Sequence, residues 1–376
     1  MASIIHLTTA HPRIDARIFI KEVKTLAYSM PHKVILLVAD GKGSEDDERS
    51  KVSVKNLGAV GWGRLGRLFI GSWRSFCEIR KQKPAIVHFH DPELMPLGMI
   101  LKKLIGCKVI YDVHEDLPCQ ILSKDWLPEI FRKPISWVMT GMEWFAARSF
   151  DAIVPATLKI AARFPINKTV IIQNFPIIRE ISYSKPIPFR ERPKAFAYPG
   201  YISKIRGIFE VLQALNMLHD VEGIRLELAG EFITPDLEDE MRELPGWALV
   251  KYHGWITREQ LVLLLGNVRA GLVLHHPVPN EIDAQPIKLY EYMSAGLPVI
   301  ASNFPRLKQI IEGAECGLLV NPMDPKAIAE AMRWILEHPK EAEAMGQCGR
   351  QAVLREYNWD AEAVKLIDLY NKLLET

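Results

Sequence analysis

Short runs of β-branched and aromatic residues alternate with amphipathic stretches along the whole chain. In the first half we interpret these runs as strands: Ile4–Leu7, Val34–Val38, Ala85–Phe89, Lys108–Tyr111, Ala152–Val154 and Val170–Ile172. A second series follows: Ala195–Tyr198, Arg225–Leu228, Leu249–Tyr252, Gly271–Leu274, Val299–Ala301 and Leu318–Val320. Between them, apolar residues recur at helical spacing, as at Phe19, Val23 and Leu26. This alternation, with nearly continuous apolar strands, predicts an α/β fold whose parallel sheets are covered by helices on both faces.

One change of composition separates the two series of strands. The stretch from Gln173 to Lys194 is rich in proline and has little periodicity, which is typical of a linker. We therefore predict two doubly wound, Rossmann-like domains, one over residues 1–178 and one over residues 190–357. The last stretch, residues 358–376, has a helical pattern, and we expect it to cross back to the first domain.

The composition is that of an ordinary globular protein. The chain has 376 residues, of which 48% are hydrophobic and 24% are charged, so intrinsic disorder and a disulfide scaffold are excluded. The five cysteines are scattered and form no C-x-x-C pair, so we expect buried thiols rather than a zinc site. No apolar run approaches the ~18 residues of a transmembrane helix, and no signal peptide is visible. These features predict a cytoplasmic protein.

Charge is distributed unevenly along the chain. Residues 1–180 carry a net charge of +8 and residues 181–376 a net charge of −6. Residues 60–83 interleave aromatic and basic side chains, a pattern suited to an anionic bilayer, so peripheral attachment to the inner face of the plasma membrane is a further expectation. A second aromatic stretch, Trp126–Phe150, is expected to border the same cleft as residues 60–83. A buried amphipathic helix with a solvated basic edge explains residues 60–83 as well. No nucleic-acid-binding module is recognisable, so no nucleic-acid partner is expected.

Polar and ionisable residues follow almost every predicted strand, where open parallel sheets bind their ligands. The densest segment begins at Asp283 and contains a short helix, with Pro286 at its first position and Gly296 as its stop. The free N–H groups at its start form an anion site, and Lys288 adds a cation where the helix dipole disfavours one, which indicates a phosphate. Glu291, inside the helix, completes a bracket around the ligand. A solvent-exposed helix with ordinary charges explains the segment equally well.

A second candidate phosphate contact follows the first strand of the second series. Gly200 directly after a strand lets the backbone approach a ligand, and Arg206 opens the next helix. A surface arginine is the alternative interpretation.

Taken in order, these segments resemble the signature of the retaining GT-B glycosyltransferases often called group 1. Asp283-x7-Glu291, followed by Tyr-Met-Ser-Ala-Gly-Leu-Pro-Val, is similar to the family's Glu-x7-Glu motif, and Gly200-x5-Arg206-Gly207 resembles its Gly-Arg-x4-Lys-Gly phosphate segment. Asp112-Val113-His114-Glu115 resembles its catalytic histidine loop. Four further segments match in order: His90–Glu93, Asn174–Pro176, His253–Trp255 and Tyr357–Trp359.

The resemblance implies two domains facing across a cleft and a nucleotide-sugar donor, expected to be a UDP-sugar. It implies retaining transfer of a hexosyl or N-acetylhexosaminyl group to a glycan or lipid-linked acceptor in cell-surface polysaccharide synthesis. It implies catalytic roles for His114, Asp283 and Glu291. The residues expected to contact the donor are Gly200, Tyr201, Lys204, Arg206, Glu231, Pro286, Ile287, Lys288 and Glu291. The residues expected on the acceptor side are Arg13, Asp91 and Glu93.

The sequence departs from the family pattern at specific positions. Asp283 replaces the usual first glutamate, and Tyr201 stands where many members carry a diphosphate-binding arginine, for which Lys204 is a candidate substitute. The chain contains no Asp-x-Asp, so we expect neither a metal nor another cofactor, with protein cations taking the role of the metal.

Other functions were compared with the family interpretation. A nucleotide-sugar epimerase on the same fold and a non-catalytic sugar-nucleotide-binding protein remain open. A dehydrogenase is rejected because the G-x-G-x-x-G match at Gly61–Gly66 does not follow a strand.

Overall fold

A computed structural model describes residues 3–47, 52–61, 63–122, 127–181 and 187–375. The chain divides into a first unit, Met1–Asn174 with Trp359–Thr376, and a second unit, Phe175–Asn358. Each unit is built on its own mainly parallel sheet with helices on both faces, so the predicted fold of two doubly wound α/β domains is confirmed. The division falls near the start of the proline-rich stretch, whose Pro186 lies outside the described residues.

The first unit contains a seven-stranded sheet with the order β3-β4-β2-β1-β5-β6-β7. Neighbouring strands are parallel except for β3 and β4, which are antiparallel. The strands are β1 (Ser3–Thr8), β2 (Lys33–Val38), β3 (Glu45–Asp47), β4 (Val52–Asn56), β5 (Ile86–Phe89), β6 (Lys108–Val113) and β7 (Ala152–Pro155).

Helices connect these strands. A π-helical segment, Ala16–Val23, runs directly into the first α-helix, and a second one, Arg67–Gly71, joins α2 to α3. The α-helices are α1 (Lys24–Ser29), α2 (Gly63–Gly66), α3 (Ser72–Gln82), α4 (Met95–Leu104), α5 (Leu117–Leu122), α6 (Glu129–Ser149) and α7 (Leu158–Ala161). Short 3-10 turns lie at Pro92–Leu94 and Ile166–Lys168.

The second unit contains a six-stranded parallel sheet with the order β10-β9-β8-β11-β12-β13. Its strands are β8 (Ala195–Pro199), β9 (Arg225–Ala229), β10 (Val250–Tyr252), β11 (Ala270–Val273), β12 (Val299–Ser302) and β13 (Gly317–Val320). Its helices are α8 (Ile208–Met217), α9 (Pro235–Arg242), α10 (Arg258–Leu265), α11 (Ile287–Ser294), α12 (Pro305–Gly313), α13 (Pro325–Glu337) and α14 (Pro339–Arg355). Its 3-10 turns lie at Ile178–Glu180, Phe189–Glu191, Lys204–Arg206 and Pro245–Leu249.

The last helix, α15 (Trp359–Glu375), belongs to the first unit. Its indole at Trp359 donates to the hydroxyl of Thr25 (2.9 Å), and the ring of Tyr370 is fully buried. The hydrogen bond of Trp359 and the burial of Tyr370 show that this helix packs on the first unit. Among the described residues, none of the helices combines the length and the apolar character that crossing a bilayer requires.

Two details of the predicted strands are wrong. The run Val170–Ile172 forms no strand: Val170 and Ile172 each donate one hydrogen bond to β7, but the ladder is not completed. Strands β3 and β4 were not predicted, because β3 is a polar edge strand and β4 alternates apolar and polar residues over only five positions. Neither difference affects the strand ends that carry the candidate site.

Candidate active site

In the second unit, Gly207 lets two loops meet at the carboxyl end of the sheet. Gly207 has a φ of +73°, and a Cβ there would lie 2.2 Å from the carbonyl oxygen of Leu274. Only glycine therefore lets the start of α8 lie against the end of β11. The Tyr198 hydroxyl donates to the carbonyl of Arg206 (2.7 Å), which fixes the turn that carries the Arg206 guanidinium.

Lys288 enters the same region from the first turn of α11. This helix begins at Ile287, one residue later than predicted, because Pro286 has an extended ψ of 129° and acts as the cap. The Lys288 ammonium is buried 4.4 Å from the centroid of the Tyr198 ring and has no hydrogen-bond partner among the described residues. Burial, and then the nearby charge of Arg206, lower the pKa of Lys288 to about 7. An unpaired buried cation of this kind indicates a missing anion.

His275, which follows β11, adds a further polar group that the sequence interpretation did not assign. Its Nδ1 lies 2.5 Å from a carboxylate oxygen of Glu281, whereas its buried Nε2 has no partner among the described residues. Burial lowers the pKa of His275, and the charges of Lys288 and Arg206 act in the same direction. The position of His275 directly beyond a strand end was the signal that could have identified it.

Glu291 lies one turn beyond Lys288 and is buried. Its carboxylate accepts a hydrogen bond from the guanidinium of Arg258, which also pairs with Glu180 at 3.3 Å. Arg258 was missed by the sequence interpretation, because its position at the start of α10 gives no local signal of a contact with α11. Asp283 lies half-buried in the loop that precedes α11.

Other residues predicted to contact the donor lie at the surface. Tyr201 is exposed, and its ring centroid is 6.0 Å from that of exposed Trp255. Glu231 is exposed directly after β9, and Ile287 is half-buried. The Lys204 ammonium, a candidate substitute for a diphosphate-binding arginine, pairs with the carboxylate of Glu240 at 2.7 Å.

In the first unit, a pocket of about 460 Å³ lies at the carboxyl ends of β5 and β6. It brings together His114, Asp91 and Glu93, three of the residues predicted for catalysis or acceptor contact. Arg13 is not among its lining residues. Four apolar side chains from two helical regions form much of the remaining wall: Leu65, Leu68, Met139 and Met142.

Within this pocket, His114 is held by a carboxylate that the sequence interpretation did not single out. The Nε2 of His114 lies 2.8 Å from Oδ2 of fully buried Asp112, which also receives two hydrogen bonds from the guanidinium of Arg17 (2.7 and 3.0 Å). Burial alone would raise the pKa of Asp112, but Arg17 and then His114 hold it well below its usual range. Asp112 is therefore an ionised acceptor that orients the imidazole.

The residues predicted for the acceptor side all have partners within the first unit. Asp91 is buried and accepts hydrogen bonds from the Thr9 backbone N–H (2.5 Å) and from His11 Nδ1 (2.9 Å). Its carboxylate therefore holds the loop that follows β1. Against the effect of burial, Asp91 raises the pKa of His11. Glu93 accepts from Arg67 at 2.5 Å, and Arg13 pairs with two carboxylates, those of Asp40 (2.6 Å) and Glu45 (2.7 Å).

The proposed lipid-facing segment exposes its apolar side chains. Leu65, Phe69 and Trp73 are 65%, 67% and 67% exposed, which argues against the interpretation of residues 60–83 as a buried helix. Helix α6 exposes a further apolar set: Ile130, Phe131, Trp137, Val138, Trp144 and Phe145. Two residues named in the sequence pattern, Trp62 and Trp126, lie outside the described residues.

Comparison with known proteins matches nearly the whole chain to glycosyltransferase families. Residues 20–174 match the model of Glycosyltransferase Family 4, and residues 180–352 match that of Glycosyl transferases group 1. A glycogen synthase of Mycobacterium tuberculosis is 21% identical over 298 residues, which cover 77% of this chain and 69% of that protein.

Solved structures show the same fold at low sequence identity. Sucrose-phosphate synthase from Thermosynechococcus elongatus superposes with a TM-score of 0.79 at 17% identity over 100% of both chains. Anabaena HepE in complex with UDP-glucose superposes with a TM-score of 0.75 at 13% identity, over 99% of this chain and 100% of that one.

Proposed function

We propose a donor, an acceptor class and a reaction course for this chain, which belongs to the group 1 glycosyltransferases. The donor is a nucleoside-diphosphate sugar, most simply a UDP-sugar, and the sugar is transferred with retention of configuration and without a metal ion. The observation that carries the proposal is the buried ammonium of Lys288 at the carboxyl end of the second sheet, which has no hydrogen-bond partner among the described residues.

A diphosphate supplies the missing anion at this position. Lys288 and Arg206 would each form a charge-assisted hydrogen bond to it, and the first N–H groups of α11 would add to the same field. These donors gain strength as the leaving diphosphate accumulates charge, so they would favour the transition state over the bound donor. This arrangement supports metal-independent catalysis.

The nucleoside and the sugar would be held by neighbouring groups of the second unit. The Glu291 carboxylate, oriented by Arg258, is a suitable acceptor for ribose hydroxyls. The exposed Tyr201 and Trp255 rings offer an apolar surface for a base. Asp283, in the loop before α11, would accept from a hydroxyl of the sugar. The solved complex of Anabaena HepE with UDP-glucose favours uridine as the base.

The acceptor would bind the pocket of the first unit. His114 would donate its Nε2–H to ionised Asp112, which leaves Nδ1 as the ring nitrogen available to a substrate hydroxyl. The apolar wall, which includes Leu68 and Met139, suits an acceptor with an apolar part. A lipid-linked glycan of cell-surface polysaccharide synthesis has this chemistry.

Exposed apolar side chains near the same pocket support attachment to an anionic membrane surface. Leu65 lines the pocket, and Phe69 and Trp73 continue the exposed surface along the chain. Exposed Arg80, Lys81 and Lys83 extend the segment with positive charge. A lipid-linked acceptor would then reach the pocket from the bilayer.

The donor assignment is tested by thermal-shift measurements with UDP-glucose, UDP-N-acetylglucosamine, GDP-mannose and ADP-glucose. A saturating ligand at a hundredfold excess over its Kd stabilises the folded chain by about 2.7 kcal/mol. We expect a shift with a UDP-sugar that is clearly reduced in Arg206→Ala, whereas the exposed-surface control Lys326→Ala keeps it. No shift with any nucleotide sugar would contradict the proposal.

Product analysis of the same mixtures separates the two alternative functions. Release of UDP that requires an acceptor indicates transfer. Conversion of the donor sugar without any acceptor would instead identify an epimerase. A thermal shift with neither reaction, across lipid-linked and water-soluble acceptors, would leave a non-catalytic binding protein.

A further inference from the structure

A chain of buried hydrogen bonds continues from the candidate active site into the interior of the first unit. Asp112 Oδ2, which binds His114, also lies 2.9 Å from Nδ1 of His90. The other ring nitrogen of His90, Nε2, lies 3.0 Å from Nδ1 of His6. His6 lies on β1, and His90 directly follows the end of the adjacent parallel strand β5; both are buried.

This chain of hydrogen bonds ends on α15, the last helix of the protein. The Nε2 of His6 lies 3.0 Å from the hydroxyl of Tyr370, and the same hydroxyl lies 2.8 Å from Nδ1 of His88. Tyr370, on α15, and His88, on β5, are fully buried. Residues separated by 364 positions along the chain are thereby joined in one network.

The ionised state of Asp112 fixes the direction of every hydrogen bond in this network. A carboxylate can only accept, so His90 must donate through Nδ1–H, and its Nε2 is left as an acceptor. Burial lowers the pKa of His90 and that of His6, so both rings stay neutral. His6 must then donate from Nδ1 to His90 and accept at Nε2 from the hydroxyl of Tyr370.

The hydroxyl of Tyr370 donates to Nε2 of His6, the acceptor that this arrangement would otherwise leave unpaired, and it accepts from Nδ1–H of His88. Without Tyr370, Nε2 of His6 would be a buried acceptor without a donor, and moving the proton there would only leave a buried donor unpaired and break the hydrogen bond to His90. His6 would therefore keep its tautomer but be held less firmly, which would weaken the hydrogen bonds from His6 to His90 and from His90 to Asp112. The position of His114 depends on that carboxylate.

We propose that Tyr370 is a positioning residue for the imidazole of His114, acting through His6, His90 and Asp112. The proposal rests on the proposed function in assigning His114 to the reaction. The last helix would therefore contribute to catalysis without contacting a substrate, by holding in place the hydrogen-bonded imidazoles between itself and the pocket.

A metal site is the main competing interpretation of the same cluster. One ligand atom each from His6, Glu22, His88 and His90 lies within 4.8 Å of the others. However, His6 and His90 already share a hydrogen bond, and the Arg17 guanidinium lies 3.2 Å from a carboxylate oxygen of Glu22. A metal ion at this point would break the hydrogen bond between His6 and His90. It would also lie close to the positive charge of Arg17. The hydrogen-bonded network is therefore favoured.

The network is tested first by long-range ¹H–¹⁵N NMR of protein labelled at histidine. We expect the Nδ1–H tautomer for His6, His88 and His90 and the Nε2–H tautomer for His114. In Tyr370→Phe, His6 should keep the Nδ1–H tautomer, and its Nε2 resonance should move downfield because that nitrogen no longer accepts a hydrogen bond. An Nε2–H tautomer of His6 in the unmodified chain, or a signal that is unchanged in Tyr370→Phe, would overturn the proposal. This measurement requires no activity, so it remains decisive even if the proposed transfer reaction fails.

Kinetics provide the second readout. Tyr370→Phe should lower kcat about three- to tenfold, as expected for the loss of one hydrogen bond, with the KM for the donor unchanged. Tyr290→Phe is the matched control, since Tyr290 is also buried but its hydroxyl has no partner among the described residues. Equal kcat in Tyr370→Phe and in the unmodified chain would contradict the proposal. So would stoichiometric metal in the purified protein whose removal by a chelator shifts the His6, His88 and His90 signals.

Discussion

The ammonium of Lys288 lies 4.4 Å from the centroid of the Tyr198 ring, and it has no hydrogen-bond partner in the part of the chain that the structure describes. The aromatic face attracts the cation but does not replace a hydrogen bond or a counter-charge. Lys288 is therefore held in a state that is unfavourable for the free protein and suited to an anionic ligand. The proposed contact between Lys288 and the donor would exchange stability for function at this position.

We expect Lys288→Met to stabilise the ligand-free protein. The substitution keeps most of the buried stem and removes an amine that has no partner among the described residues; burying an unpaired polar group costs roughly 1–3 kcal/mol, and a charged one costs more. Urea unfolding at pH 7 should therefore show an increased free energy of unfolding, while the thermal shift caused by the donor disappears. Lys326→Met, at an exposed position, should change neither. A less stable Lys288→Met variant would show that the ammonium already has a favourable partner.

Donor affinity should fall as the pH rises above 7. Burial and Arg206 lower the pKa of Lys288 to about 7 in the free protein, and a bound diphosphate would raise it again. Above pH 7, binding must then take up a proton, and the affinity falls by up to about tenfold per pH unit. Titration calorimetry between pH 6 and 9, in buffers of different ionisation enthalpy, measures both the affinity and the proton uptake. A constant affinity over that range would contradict the assignment of Lys288 to the phosphate.

The same group also affects stability with a defined sign. Between pH 7 and its unfolded value near 10.5, Lys288 is neutral when folded and protonated when unfolded. The unfolded state then binds more protons, so the contribution of Lys288 makes stability increase with pH over this window. Below pH 7 the full penalty of the buried charge remains. The gain from Lys288→Met should accordingly be largest below pH 7 and vanish above about pH 10.5.

His114→Ala should reduce turnover much more than donor affinity. A group that acts at the reacting centre typically contributes about 10²- to 10⁴-fold to the rate. The donor cations belong to the second unit and should be unaffected, so the Kd for the nucleotide sugar measured by calorimetry should be nearly unchanged. If donor affinity falls while kcat is retained, His114 only binds the donor. Circular dichroism should confirm that the variant is folded.

The sequence predicted those features of the site that have local signals. Pro286 and Gly296 delimit α11, and the charge pattern inside that short helix was enough to select Lys288 and Glu291. Strands were predicted well where they are apolar throughout, and the polar edge strand β3 was missed. Local sequence patterns identify turns and strand ends, and these were the structural features that the sequence predicted.

Contacts between distant segments could not be predicted in this way. Arg258 pairs with Glu291 although 33 positions separate them, and His6 meets Tyr370 across 364 positions. Each of these residues has an ordinary explanation within its own segment. Only the packing of helices on the sheets makes them part of a site or a network.

Activity should be unaffected by excess EDTA. The chain has no Asp-x-Asp, and under the proposed function Lys288 and Arg206 would supply the positive charge with which a metal otherwise neutralises the diphosphate. The rate of UDP release should be equal before and after prolonged dialysis against the chelator. Loss of activity that Mg²⁺ or Mn²⁺ restores would overturn the proposed role of the protein cations.

Binding to anionic vesicles should depend on the exposed aromatic side chains in the segment 60–83. Of the basic residues there, Arg67 is paired with Glu93, and Arg74 donates to the backbone carbonyls of Leu57 and Ala59. The electrostatic contribution must therefore come mainly from the exposed end of the segment, at about 1 kcal/mol for each basic residue, and salt should weaken it.

Sedimentation with vesicles of phosphatidylglycerol or phosphatidylcholine separates the contributions. We expect binding to the anionic vesicles at low salt, less binding at high salt, and a marked loss in Trp73→Asp. The matched control is Ile166→Asp, because Ile166 is also an exposed apolar residue of the first unit but lies outside residues 60–83 and α6. Equal loss in both variants would show that exposed apolar surface acts without regard to position. Absence of binding to either vesicle at low salt would remove the membrane from the proposal, and the apolar pocket wall would then have to serve a water-soluble acceptor.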